Sequence, residues 1–110
     1  TYERALRLDE HNLNIYLSRG KHYVRTKEAE KALADFTLVI ERGSRFCASM
    51  AALAHQNRSG VFETAKMYNY ALLDAEFAHR LDPNNKKYYA RYMRLKEFDK
   101  FTRVTKDSPR

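Results

Sequence analysis

Large apolar residues recur along the chain at helical spacing, with small residues between them. Tyr16 and Tyr23 lie seven positions apart and flank Gly20. The next stretch, residues 32–39, places alanine, phenylalanine and valine at intervals of four and three. Intervals of three, four and seven put side chains on one face of a helix, and no segment alternates with the period of two that a strand requires. The pattern therefore predicts an all-α chain.

The same residue types recur at fixed distances. Three positions have counterparts thirty-four residues later: Tyr16 with Met50, Gly20 with Ala54, and Ala5 with Val39. Others recur after thirty-nine residues: Met50 with Tyr89, Leu53 with Tyr92, Ala54 with Met93, Ala32 with Ala71, Phe36 with Ala75, and Val39 with Ala78. A period of this length predicts stacked helix-turn-helix units, because one unit cannot bury its own apolar face. The five extra residues predict a short insertion within one unit.

The spacing of large and small residues resembles the tetratricopeptide repeat. The resemblance rests on Tyr16, Gly20 and Tyr23, on the apolar series at 32–39, and on the turn-like stretches 5–12 and 78–85. It covers residues 1 to about 93 and implies an α-solenoid of five to six helices. We interpret seven aromatic residues as packing residues of such a stack: Tyr16, Tyr23, Phe36, Tyr68, Tyr88, Tyr89 and Tyr92.

The pattern divides the chain into units. Residues 1–8 are predicted to be the second helix of an incomplete repeat, which suggests an excerpt of a longer array or a contact with another chain. Residues 13–45 form one repeat, with Thr26 as an N-cap between its helices and a stop at Gly43 and Ser44. Residues 46–85 form a second repeat, with its break and the insertion near 57–63 and a second helix from about Phe62 to Leu81. Residues 86–104 form a capping or exit helix, and 105–110 a polar tail.

The charge is concentrated at one end of the chain. The net charge is +7, and residues 86–110 hold nine Lys or Arg against three Asp or Glu. A basic surface of this kind attracts acidic proteins or phosphate backbones. It can also be a solvated capping face. The predicted basic patch comprises Lys86, Lys87, Arg91, Arg94, Lys100, Arg103 and Lys106.

The tetratricopeptide resemblance implies a non-catalytic scaffold, in which the first helices of successive units line a groove for a partner peptide or helix. The predicted groove residues are Asn14, Leu17, Ser18, Lys21, Ala48, Ala52, His55, Lys87 and Arg91. Such scaffolds serve multiprotein complexes, and the basic helix points to an acidic partner such as tubulin in a cytoskeletal or ciliary assembly. The alternative is a helical-repeat RNA-binding module that uses the basic helix.

Some tetratricopeptide domains clamp the C-terminal carboxylate of heat-shock chaperones, and the chain carries part of that motif. Lys87 and Arg91 lie one helical turn apart at the positions that the clamp gives to lysine and arginine. Ser18 and Ala52 stand where an asparagine is expected, and Lys21 also replaces an asparagine. The sequence therefore predicts a partial clamp at most.

Catalysis, metal binding and membrane insertion are not expected. The four histidines lie on different predicted helices, and none has a second histidine or cysteine at the spacing of a metal site. No glycine-rich phosphate loop or nucleophile motif is present, and no apolar run reaches the length of a membrane span. We expect no cofactor and a cytoplasmic location. Asp35, Glu41 and Asp74 are predicted to face solvent.

Overall fold

Five helices, each joined to the next by a short connection, make up the described part of the chain. The structure, a computed structural model, describes residues 12–107, and the side chains of 12–43 and 47–100. We number the helices in chain order: α1 Leu13–Arg25, α2 Ala29–Phe46, α3 Ala48–Thr64, α4 Tyr68–Leu81 and α5 Lys86–Asp107. No strand occurs between residues 12 and 107, which confirms the all-α prediction.

The first four helices form two hairpins with the same turn. Each turn takes three residues, 26–28 and 65–67, and its middle residue is a lysine in the left-handed region. The backbone φ is 62° at Lys27 and 63° at Lys66. In both turns, the amide after this lysine donates to a carbonyl five residues earlier, from Glu28 to Tyr23 and from Met67 to Phe62. The two turns are thirty-nine residues apart.

A buried arginine–aspartate pair joins the helices of each hairpin. Arg19 donates from Nε and Nη2 to the Asp35 carboxylate at 2.8 and 2.6 Å, which links α1 to α2. Arg58 donates in the same way to Asp74 at 2.8 and 2.7 Å, which links α3 to α4. Asp35 and Asp74 are almost fully buried, so the prediction that they face solvent is wrong. Each carboxylate can be buried because a two-pronged arginine satisfies it.

The repeated features correct the predicted register. The arginines, the aspartates and the turn lysines of the two hairpins are all thirty-nine residues apart, so Gly20 corresponds to Ser59 and not to Ala54. Residues 57–60, expected to break the second unit, lie within α3, and Phe62 lies in the last turn of that helix instead of starting α4. The extra residues therefore lie between the hairpins, near the junction of α2 and α3.

The second hairpin has different residue types at the positions equivalent to Gly20 and Phe36, which explains why the thirty-nine-residue register of the hairpins is hard to recognise in the sequence. In the first hairpin, Gly20 lies against the ring of Phe36. Sixteen residues separate the two, and the matching positions in the second hairpin are Ser59 and Ala75. Ser59 is larger than glycine and Ala75 is smaller than phenylalanine, and the Ser59 hydroxyl donates to the Ala71 carbonyl at 2.7 Å.

The core of the described residues consists of three clusters, of which the first joins the two hairpins and the other two join the second hairpin to α5. The first contains Leu17, Ala32, Phe36, Val39, Ala54 and Val61, with Tyr16 and Tyr23 packed against it. The second joins Ala52, Ala78 and Tyr88. The third joins Ala71, Ala75 and Leu95, with Tyr68 and Tyr92 beside them. Six of the seven predicted packing aromatics therefore belong to or line these clusters, whereas Tyr89 is half exposed.

Several predicted helix ends are also displaced. Thr26 follows α1 as its C-cap, and Glu28 is the residue before α2, so Thr26 is not the N-cap of that helix. Gly43 and Ser44 lie inside α2, which continues to Phe46. The last helix reaches Asp107 and includes the start of the expected polar tail. The predicted helix at residues 1–8 and the end of the tail, 108–110, lie outside the described residues.

The Asp74 pair gives the fold an acid-sensitive component. Burial alone raises the pKa of Asp74, but hydrogen bonds from His55 and Arg58 outweigh it, and the net pKa lies below its usual value. A depressed pKa contributes stability that is fully present above the unfolded-state pKa, about 3.9, and is lost as the pH falls through the folded-state pKa. We expect the difference in unfolding free energy between the wild type and Asp74→Asn to be constant near neutrality. Below about pH 4 this difference should shrink. Urea titrations of both proteins across that range measure it, and a difference that grows with acid contradicts the assignment.

Candidate functional site

A groove of about 770 Å³ opens on the side of the molecule formed by α1, α3 and α5. These helices are neighbours because α1 packs on both α2 and α3, while Glu63 of α3 pairs with Arg91 and Arg94 of α5. Tyr68, at the start of α4, closes one side. The lining residues are Lys21, Val24, Gln56, Asn57, Gly60, Val61, Glu63, Thr64, Tyr68, Arg91 and Arg94.

The guanidinium of Arg91 lies against α3 at Gly60. A Cβ at Gly60 would lie 3.4 Å from Arg91 Nη1, so the arginine rests directly against the bare backbone of α3. Gly60 and Lys21 of α1 occupy matching positions in the two hairpins, thirty-nine residues apart. The hairpin register thus brings a cation of α1, a glycine of α3 and a cation of α5 to one surface.

Glu63 holds two arginines at the floor of the groove. Arg94 approaches it with two prongs, Nη1 to Oε2 at 2.5 Å and Nη2 to Oε1 at 2.9 Å. Arg91 adds a bond from Nη1 to Oε1 at 3.0 Å. The hydrogen bond from Arg94 is the main reason that the pKa of Glu63 lies below its usual value. Burial lowers the pKa of Arg91, whereas the bond to Glu63 raises that of Arg94.

Three polar atoms of the groove are buried without a hydrogen-bond partner among the described residues. They are Gln56 Oε1, Asn57 Nδ2 and Arg91 Nε. Buried polar atoms in proteins are paired in the great majority of cases, and an unpaired one costs about 1–3 kcal/mol. The three supply one acceptor and two donors on the same surface. Once these side chains rotate toward the groove, the amide and carbonyl groups of a peptide backbone can satisfy all three.

An apolar pocket of about 390 Å³ adjoins the groove. Val24, Val61 and Thr64 line both spaces, so the pocket continues the groove toward the α1–α2 turn. Its remaining lining comes from Lys27, Ala29 and Ala65. The surface therefore combines a polar, charged part with an apolar recess at one end.

Of the nine predicted groove residues, Lys21 and Arg91 line the groove. Three others are buried: Leu17 in the first core cluster, Ala52 against Ala78 and Tyr88, and His55 beside Asp74. The register error accounts for Ala52 and His55, because a shift of five residues moves the groove-facing positions of α3 toward 56–64. The remaining four are exposed but do not line the groove: Asn14, Ser18, Ala48 and Lys87.

His55 packs between α3 and α4 and does not line the groove. Its Nδ1 lies 2.9 Å from Asp74 Oδ1, and because an ionised carboxylate can only accept, the imidazole donates. The ring also stacks on Phe77 with a centroid separation of 5.0 Å. His55, Arg58 and Asp74 together tie α3 to α4.

The predicted basic patch separates into two sets. Arg91 and Arg94 belong to the groove and share the charge of Glu63. Lys86, Lys87 and Lys100 are exposed along α5. The side chains of Arg103 and Lys106 lie outside the described residues.

Sequence reasoning missed most of the α3 surface of the groove. Gln56, Asn57 and Glu63 were hidden because residues 57–60 had been interpreted as a break. A signal for them exists in the sequence: Arg19 and Asp35 recur as Arg58 and Asp74 after thirty-nine residues. Polar pairs at a constant spacing would have fixed the register of α3.

The described part of the chain contains no cluster of three or more His, Cys, Asp or Glu side chains able to hold a metal ion. None of the helices in residues 12–107 combines the length and apolar character needed to cross a membrane. No protein-family model matches the chain, and no curated protein matches it.

Proposed function

We propose that the chain is a non-catalytic protein–protein interaction scaffold of the tetratricopeptide type, whose groove holds a peptide or helix from a partner protein. The observation that carries the proposal is the set of unpartnered buried atoms on Gln56, Asn57 and Arg91 along one groove. These atoms are shielded from solvent, so a partner's backbone would pair with them once the side chains rotate toward the groove, and would then recover the free energy that the free protein forgoes. The two similar hairpins support the repeat interpretation.

A randomised peptide library displayed against the 110-residue chain tests this function. We expect enriched peptides whose binding falls about tenfold in Asn57→Ala, because loss of one hydrogen bond to a buried donor site costs about 1–1.5 kcal/mol. Asn84→Ala is the matched control, since Asn84 is an exposed asparagine of the α4–α5 turn. Absence of any enriched peptide, or equal losses in both variants, contradicts the proposal.

A second candidate is a chaperone-tail adaptor. The shift of five residues replaces Ala52 by Asn57 as the α3 residue to be compared with the clamp's asparagine. Asn57, Lys21 and Arg91 all line the groove and can donate to a carboxylate. Peptides with a free C-terminus and their C-terminal amides distinguish this candidate, because a clamp loses most of its affinity with the amide.

The exposed lysines of α5 extend the proposal to an acidic partner surface, such as tubulin in a cytoskeletal or ciliary assembly. Lys86, Lys87 and Lys100 lie outside the groove lining, so their neutralisation should leave peptide binding intact. The RNA-binding alternative makes the opposite prediction. Loss of binding with these lysines, together with a steep dependence on salt, favours RNA.

A further inference from the structure

The charges of the groove favour an anionic occupant. Three cations, Lys21, Arg91 and Arg94, face a single carboxylate among the lining residues, that of Glu63. The groove therefore carries a net charge of about +2, and a cleft lined by one sign of charge raises the local concentration of opposite charge. Acidic side chains fit this surface better than basic ones.

Glu63 already shows how the groove binds a carboxylate. Arg94 holds it with two prongs at 2.5 and 2.9 Å, which is the preferred geometry for an arginine and a carboxylate. Arg91 contributes one prong and leaves its Nε without a partner in the described residues. Arg94 is more than half exposed, so it can rotate to meet a new partner.

The apolar recess beside the groove favours an apolar side chain, whereas the arginines favour an acidic one. Val24 and Val61 line both spaces, so an apolar side chain in the recess and an acidic side chain at the arginines can belong to one short segment. A phosphate backbone has a partner for the arginines but none for the apolar recess. A peptide with both kinds of side chain matches both parts.

We propose, on the basis that the groove binds a peptide, that its occupant carries an acidic side chain for Arg91 and Arg94 and an apolar side chain for the adjoining recess, and that Glu63 is an intramolecular competitor for the acidic side chain. In the free protein, Glu63 occupies the arginines. On binding, the ligand carboxylate displaces it, and the Gln56 and Asn57 side chains pair with the peptide backbone. Affinity is therefore limited by the exchange of one carboxylate for another.

The first test is the composition of peptides selected from the randomised library, with their termini blocked. We expect enrichment of glutamate or aspartate close to a leucine, isoleucine or phenylalanine. Enriched peptides without an acidic residue overturn this inference and leave the proposed scaffold standing. The absence of enriched peptides overturns both, and groove-dependent binding of single-stranded RNA in their place overturns the peptide assignment.

The second test is Glu63→Gln, which keeps the shape of the side chain and removes its charge. We expect a selected acidic peptide to bind roughly three- to tenfold more tightly to this variant, because the competitor is gone. The matched control is Glu76→Gln on α4, whose carboxylate pairs with Arg80 and is remote from the groove lining. A version of the peptide with glutamine in place of its acidic residues should gain nothing from Glu63→Gln. Unchanged or weaker binding of the acidic peptide to Glu63→Gln contradicts the competitor role.

The third test asks whether the recess binds the apolar side chain of the peptide. Val24→Ser should weaken binding of the selected peptide, and should have much less effect on the same peptide with serine in place of its apolar residue. Titration of both peptides against both proteins completes a double-mutant cycle. Additive effects place the apolar side chain elsewhere and overturn its assignment to the recess.

Discussion

Gly20→Leu is expected to destabilise the protein by about 3 kcal/mol or more, since overpacking a dense core costs about 1–3 kcal/mol and occasionally more. The cause is the close approach of α1 to α2. A Cβ at position 20 would lie 2.5 Å from Cε1 of Phe36 and 2.9 Å from Cδ1. Phe36 is fully buried, so its ring has no open space to enter. The measurement is urea unfolding followed by far-UV circular dichroism.

Two alanine substitutions isolate this steric effect from helix propensity. Gly20 and Gly60 both lie inside helices, where alanine is intrinsically better than glycine by about 1 kcal/mol. A Cβ at Gly60 meets the Arg91 guanidinium at 3.4 Å, which is an ordinary contact. Gly60→Ala should therefore preserve or raise the unfolding free energy, whereas Gly20→Ala should lower it. If both variants are equally stable, the close packing of Gly20 on Phe36 is wrong.

Asp74→Ala is expected to cost about 2–4 kcal/mol. Loss of one partner of a buried ion pair typically costs about 3–5 kcal/mol, and we reduce this because the Arg58 side chain is 22% exposed. The substitution leaves two donors of Arg58 and the Nδ1 of His55 without their acceptor. Thr37 Oγ1 still accepts from Arg58 Nη1 at 3.1 Å.

Asp35→Ala is the matched comparison for this prediction. Asp35 occupies the equivalent position in the first hairpin. It accepts hydrogen bonds from Arg19, but no histidine among the described residues donates to it as His55 does to Asp74. Its loss should cost less, about 1–3 kcal/mol. The difference between the two unfolding free energies measures the added role of His55. A larger loss for Asp35→Ala contradicts the three-residue network at Asp74.

The helical character of the chain could be predicted from the sequence because it depends on local spacing. Tyr16 and Tyr23 lie seven positions apart and Phe36 and Val39 three apart, and the structure places all four in or against the first core cluster. The register of the second hairpin could not be predicted in this way. Its equivalent of Gly20 is Ser59 and its equivalent of Phe36 is Ala75, so neither residue type is repeated. A search for matching small residues selects Ala54, which is also fully buried but belongs to a different position.

The site was harder to predict than the fold because it depends on that register. Lys21 and Arg91, which the sequence predicts as groove residues, do line the groove, because the register of α1 and α5 does not depend on that of α3. Glu63 was not identified, and its pairing with Arg91 and Arg94 depends on contacts twenty-eight and thirty-one residues apart. The concentration of positive charge on the last helix was correctly noted, but two of its arginines are neutralised in part by a residue of α3. Charge counts along a sequence contain no information about such pairing.

The most direct test of the proposed groove is an amide NMR spectrum of the isotope-labelled chain, recorded with and without a peptide selected from the randomised library. We expect the largest shift changes on the groove surface, at Lys21, Asn57, Gly60 and Arg91. Changes concentrated instead on the exposed outer side of α4, around Tyr70, Leu73 and Phe77, would contradict the proposed groove.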